Sequence, residues 1–167
     1  MTLRLILTRH AKSSWSDPMM ADRERPLNKR GRASAKAIGR WLATHGYEPE
    51  QVLISTAERT RETWAKIADK LVAPPRAEYL DALYLAEPEQ LLSALKRADQ
   101  DVVMMIAHNP GSAYMAQALV NQVPSDGRFQ HYPTGATSVI DFAVADWSDV
   151  TWGSGKVVDF IVPRDLI

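Results

Sequence analysis

The chain has no cysteine in its 167 residues. That excludes disulfides, thiolate nucleophiles and cysteine-ligated zinc, although it leaves the compartment open. Excess charge is also missing, since Lys+Arg and Asp+Glu both number 20. A general nucleic-acid binder needs a basic surplus to neutralise phosphates, so nucleic acid is not expected as a partner; one local basic pocket is not excluded. No apolar run approaches the ~18 residues of a membrane span, so no membrane association is expected. The opening stretch MTLRLILTRHAK is too short in apolar residues for a signal peptide and has no cleavage site, so the expected location is cytoplasmic. Neither HExxH nor a P-loop motif occurs. A metallohydrolase and a P-loop nucleotidase are disfavoured, and no metal or cofactor is expected.

What is present reads as a globular chain, 46% hydrophobic and 24% charged, with a length that predicts one domain over 1–167. Leu3 to Thr8 is a short, nearly all-apolar strand. The polar stretch Arg9 to Asn28 holds Pro18 and Pro26 and reads as a functional loop. From Lys29 to His45 the positions Ala37, Ile38, Trp41 and Leu42 follow helical spacing, and His45 suits a helix C-terminus. Gln51 to Ser55 is a second strand, and Ser55-Thr56-Ala57-Glu58 has the form of a capping box. The following helix carries Thr60, Thr63, Trp64, Ile67, Ala68 and Leu71 on one face. Glu78 to Leu80 reads as a short strand, Pro88 to Arg97 as a helix and Val102 to Ala107 as a buried strand. Asn109 and Pro110 supply an N-cap and N1 proline for a helix to about Val120. Strands near Thr137 to Val144 and Lys156 to Val162 end the chain. The alternation predicts a three-layer α/β/α fold with a mostly parallel central sheet and one antiparallel edge.

Three strand ends meet unusual polar residues: Arg9-His10, then Ser55 with Arg59 and Arg61, then His108-Asn109-Pro110. In open α/β sheets ligands sit beyond the carboxyl ends of the strands, so these clusters should converge. Arginine forks match phosphate oxygens, and helix N-termini add backbone donors, so a phosphoryl group is the natural ligand. A neutral histidine held there suits nucleophilic attack on phosphorus. Arg59 sits in a helix first turn, where a cation opposes the dipole, which favours a role other than stability.

These motifs resemble those of the histidine phosphatase superfamily, the phosphoglycerate mutase-like fold. Leu7 to Lys12 looks like its R-H-G signature, STAERTRET over Ser55 to Thr63 like its second motif, and Ala107 to Pro110 like its G-H-N-P motif. Arg9 to Trp15, Asp22 to Gly31 and Pro133 to Ala136 resemble the short SixA-like phosphohistidine phosphatases. The resemblance implies that His10 is the phosphate-accepting nucleophile and that Arg9, Arg59 and His108 form the phosphate pocket. Lys12, Ser13, Arg23 and Asn109 are then candidates for substrate contacts, with a solvated loop charge as the plain reading of Arg23. It implies a phosphorylated protein, carrying phosphohistidine, or a small phosphorylated metabolite as partner. A small-molecule phosphomonoesterase is the rival enzyme, and a non-catalytic phosphate-binding module the rival from another class; binding alone does not require His10.

The chain departs from the family pattern twice. Ala11 replaces the signature glycine, and no glutamate stands at the general-acid position, leaving Asp81 and Glu87 as candidates that also suit surface or capping duty. A missing acid favours phosphohistidine over alkyl phosphates, because an imidazole leaves readily once protonated and an alkoxide does not.

Overall fold

A computed structural model describes residues 2–167. The elements run β1 (Leu3–Arg9), α1 (Lys29–Thr44), β2 (Gln51–Ser55), α2 (Glu58–Ala68), β3 (Ala77–Leu80), α3 (Pro88–Leu95), β4 (Val102–Ala107), α4 (Gly111–Leu119), α5 (Arg128–His131), β5 (Thr137–Phe142) and β6 (Lys156–Ile161). Their sheet order is β3-β2-β4-β1-β5-β6. β1, β2, β3 and β4 pair in parallel, whereas β5 runs antiparallel to both β1 and β6. The antiparallel strand is thus one position in from the edge. Among the described residues no helix is long and apolar enough to cross a membrane.

The strand period of two divides the core. Leu3, Leu5, Leu7, Val103 and Met105 face the layer of α3, α4 and α5, where Leu91, Met115 and Phe129 are buried. Ile6, Ile54, Met104 and Ile106 face α1 and α2, against Ile38, Trp41, Trp64 and Ile67. Helices therefore cover both faces of the sheet, and Val102 to Ala107 is a near-continuous apolar run because both sides of β4 are dry.

Two local readings change. α2 starts at Glu58 with Ala57 as its N-cap, so the Ser55-to-Glu58 capping box does not form. Similarly, α4 starts at Gly111 with Pro110, not Asn109, in the N-cap position. The one-turn helix α5 is too short to leave a periodic signal in the sequence.

The loop from Arg9 to Asn28 is stapled at its base. Ser13 bridges to Leu27, Ser14 N donates to Pro26 O, and Asn28 N donates to Lys12 O at 3.0 Å. Asn28 then caps α1 by accepting from Gly31 N. Gly31 is required by this contact, since a Cβ there would lie 2.0 Å from the Lys12 carbonyl oxygen. Alanine would gain about 1 kcal/mol in helix propensity, but overpacking against backbone costs about 1–3 kcal/mol or more. Gly31→Ala should therefore lower stability in urea unfolding and reduce turnover by shifting the loop. A variant as stable as the parent would show that the staple yields freely.

Candidate active site

β1 and β4 pair with Arg9 opposite Ala107, so His10 and His108 leave neighbouring parallel strands side by side. Their ring centroids lie 5.4 Å apart. β2 ends level with them, and Ser55 Oγ lies 2.7 Å from His108 Nε2. Because β5 is antiparallel, its start brings Pro133 to Ala136 to the same end. Gly135 N donates to the Arg9 and His10 carbonyls, and Arg9 N donates to Ala136 O. Gly135 adopts φ +77°, a left-handed conformation that suits glycine. The Pro133 to Ala136 segment thus holds the backbone of the Arg9-His10 pair.

These residues line a cavity of about 290 Å³ that includes Arg9, His10, Arg59 and His108. His10, Arg59 and His108 are 6%, 3% and 2% exposed. Four buried side-chain atoms lack a hydrogen-bond partner among the described residues, and three belong to this cavity: Arg9 Nε, Arg59 Nε and His108 Nδ1. Buried polar atoms are nearly always paired, so three unpaired ones on lining residues mark a cavity whose polar groups the chain itself leaves unsatisfied. Burial, and then the neighbouring Arg59 charge, push the Arg9 pKa down.

The electrostatics define the state of His10. Burial pushes it down to about 3; the Ala11 carbonyl opposes this, while Arg9, His108 and Arg59 add to it. The ring is neutral at pH 7. Its Nδ1 lies 2.7 Å from Ala11 O, which can only accept. Nδ1 therefore carries the hydrogen and Nε2 keeps its lone pair. His108 is likewise pushed down to about 3, by burial and then by Arg59.

Of the expected substrate contacts, Lys12 and Ser13 line the cavity. Ser13 Oγ accepts from Arg25 Nη1 at 2.8 Å. Asn109 also lines it, but its amide is committed elsewhere: Nδ2 donates to His131 O and Tyr132 O, and Oδ1 accepts from Ala113 N. It braces the wall, so a direct substrate contact through that amide is not what the structure provides. Arg23 stands outside, over the Tyr84 ring at 4.3 Å and paired with Asp81. Arg25, two residues further along the loop, is the arginine that is buried and lines the cavity. Among the described residues no group of three or more His, Asp or Glu is arranged to hold a metal ion.

Residues 5–83 match the model of the histidine phosphatase superfamily (branch 1). An uncharacterized protein of Mycobacterium tuberculosis is 33% identical across 93% of this chain and 99% of its own length. A solved structure from Agrobacterium tumefaciens, provisionally named for SixA phosphohistidine phosphatase, superposes with a TM-score of 0.80 at 28% identity, covering 96% of this chain and 98% of that one. Phosphohistidine phosphatase SixA of Escherichia coli is 28% identical over 70% of this chain and 74% of its own. The chain belongs to the histidine phosphatase superfamily, in its SixA-like branch. Its chemistry is that of a phosphatase.

Three residues of this histidine phosphatase site escaped the motif reading as functional. Asp22 accepts from Arg59 Nη2 at 3.0 Å through its carboxylate, and its main-chain oxygen accepts from Arg59 Nη1 at 2.7 Å. Tyr84 donates its hydroxyl to the same carboxylate and sets its ring edge-on to His108. Burial favours the protonated acid of Asp22, but the Tyr84 and Arg59 hydrogen bonds outweigh it and hold the carboxyl down at about 2. Asp22 is thus a fixed anion that orients Arg59. Leu85 lines the cavity at φ +49°, in the left-handed region unusual for a bulky residue. Asp22 does lie within the DxxRPLN segment of the sequence, the one signal that pointed to it.

The two depressed histidines link stability to pH. Their folded pKa values of about 3 lie below the ordinary 6.5. Between those values the unfolded chain binds protons that the folded chain rejects. Stability from this source is therefore complete above about pH 6.5 and is lost as pH falls toward 3, with a slope of up to about 2.7 kcal/mol per pH unit for the pair. Urea unfolding of the parent and His108→Asn from pH 7.5 to 4.5 should differ in slope by about one proton. Parallel curves would show that His108 is not held neutral.

Proposed function

We propose that this histidine phosphatase removes phosphoryl groups from phosphohistidine in proteins, in two metal-independent steps through a phosphorylated His10. The observation that carries the reading is the neutral, buried His10 with Nδ1 bound to its own chain and Nε2 unprotonated, beside arginine donors that lack partners. In the first step the Nε2 lone pair attacks phosphorus in line. The P–Nε2 bond forms as the bond to the leaving nitrogen breaks, and that imidazole leaves with a proton taken from solvent. In the second step water attacks phosphorus, the P–Nε2 bond breaks, and the water proton departs with phosphate or to solvent. Nε2 regains its lone pair. Arg9, Arg59 and His108 would stabilise charge on the equatorial oxygens.

The choice of a P–N substrate rests on the acid. No Asp or Glu is among the described residues lining the cavity. Glu87 is the N-cap residue of α3, where its main-chain N donates to Gln90 Oε1 at 2.9 Å. Asp81 is exposed and held down by the Thr56 hydroxyl and by Arg23, so it stays an anion. Neither is placed to protonate an alkoxide. Similarity to the Escherichia coli phosphohistidine phosphatase supports the same substrate class.

His10→Ala is expected to lose at least about 10³-fold in kcat, the order seen when a covalent nucleophile is removed. Rapid quench of the parent should trap an acid-labile, base-stable phosphoenzyme, and EDTA should leave the rate unchanged. Undiminished turnover by His10→Ala would overturn the mechanism.

Leaving groups test the substrate class. Phosphohistidine peptides and p-nitrophenyl phosphate should be hydrolysed roughly 10²–10⁴-fold faster than alkyl phosphates, the contribution a general acid would otherwise supply. Asp81→Asn and Glu87→Gln should alter kcat/KM by less than about tenfold. A flat dependence on leaving group with a large loss in either variant would move the substrate to ordinary monoesters.

A further inference from the structure

A second cavity, of about 350 Å³, adjoins the first, and Lys12 and Thr134 line both. Its lining includes Lys12, Arg30, Arg128 and Arg164, with the buried hydroxyl residue Ser34, and contains no acidic residue. Arg128 is neutralised by Asp126 and Asp165 at 2.8 Å each. Among the described residues, Lys12, Arg30 and Arg164 have no carboxylate within ion-pair distance. Three uncompensated cations thus gather in one concavity on a chain whose formal charge is zero.

Arg30 is not placed for the stability of its helix. Arg30 stands in the first turn of α1, which has no acidic residue, and a cation there opposes the helix dipole. The contact of Gly31 with the Lys12 carbonyl clamps that turn against the loop after His10, fixing the cationic cavity beside the phosphoryl site. Mutual repulsion of such cations is relieved by an anion, and the shared wall sets that anion next to the group being transferred.

We propose that this cavity is a second anion subsite, taking another negative group of the same substrate. The inference rests on the His10 cavity being the phosphoryl site. The shared chemistry is a carboxylate or phosphate near the scissile phosphoryl group, carried either by an acidic side chain flanking a phosphorylated residue or by a small phosphorylated metabolite.

Calorimetric binding of methylphosphonate and of 3-phosphonopropionate to the full chain tests this without turnover. The added carboxylate is expected to tighten binding by about five- to tenfold, the scale of a few partly exposed ion pairs. That gain should shrink as salt is raised. Arg30→Gln/Arg164→Gln should abolish the gain while methylphosphonate affinity and p-nitrophenyl phosphate turnover stay within about twofold. Equal affinity for the two ligands in the parent, or a gain that survives the double substitution, overturns the subsite. If the gain follows this pattern but p-nitrophenyl phosphate is not hydrolysed, the subsite stands and the phosphatase mechanism fails. Phosphohistidine peptides bearing Glu or Gln beside the phosphorylated residue separate the sources. A Glu preference lost in the double variant assigns the second anion to a protein. A preference confined to phosphonopropionate assigns it to a small metabolite.

Discussion

Parallel pairing of β1 with β4 sets Arg9 opposite Ala107, so the chain leaves both strands at one level and two imidazoles emerge 5.4 Å apart. The rest of the site is arranged around that register. β2 ends beside β4 and offers Ser55 to His108. The reversed strand β5 begins where β1 ends, so the turn before it can grip the Arg9 and His10 carbonyls through Gly135 N. A one-residue slip of β1 against β4 would turn every side chain on the strand to the opposite face, so the same apolar packing that buries Leu5 and Ile6 also fixes the two histidines.

Electrostatics follow from that burial. Desolvation keeps His10 neutral, and the Ala11 carbonyl decides which nitrogen holds the hydrogen. Desolvation also leaves Arg9 less comfortable as a cation, which an incoming phosphoryl group relieves. Asp22 prevents the pocket from being purely repulsive. It holds one end of Arg59 and leaves that residue's Nε without a partner. The carboxylate sits beside the pocket as a counter-charge and is absent from the lining, so it does not compete with an anionic ligand for the cavity. The cations beyond Lys12 extend the same asymmetry outward, in a chain whose overall charge gives no hint of it.

Apolar burial was legible in the sequence at the periodic positions of the main elements. The apolar runs of β1 and β4 and the stripes on α1 and α2 appear in the core clusters where their periods put them. The three polar strand ends were legible as well, and they converge because the strands that carry them are parallel. Polar pairing was much less so. Arg23 and Arg25 are two residues apart in one loop; Arg25 packs inward onto Ser13, and Arg23 turns out to Asp81. Ser55 has the spacing of a helix cap, yet its hydroxyl serves a histidine 53 residues away. Asn109 likewise spends its amide on the turn before β5.

The sequence by itself determined the apolar faces of the main elements, the α/β alternation and the placing of Arg9, His10 and His108 at strand ends with Arg59 in a helix first turn, because hydrophobic period and short motifs are local properties of the chain. Only the tertiary structure decided that Asp22 would anchor Arg59 across 37 residues and Tyr84 across 62, and that Lys12 would divide two cavities. Those partners are chosen by strand register and by how a stapled loop packs. Both depend on contacts between distant segments, which no local pattern records.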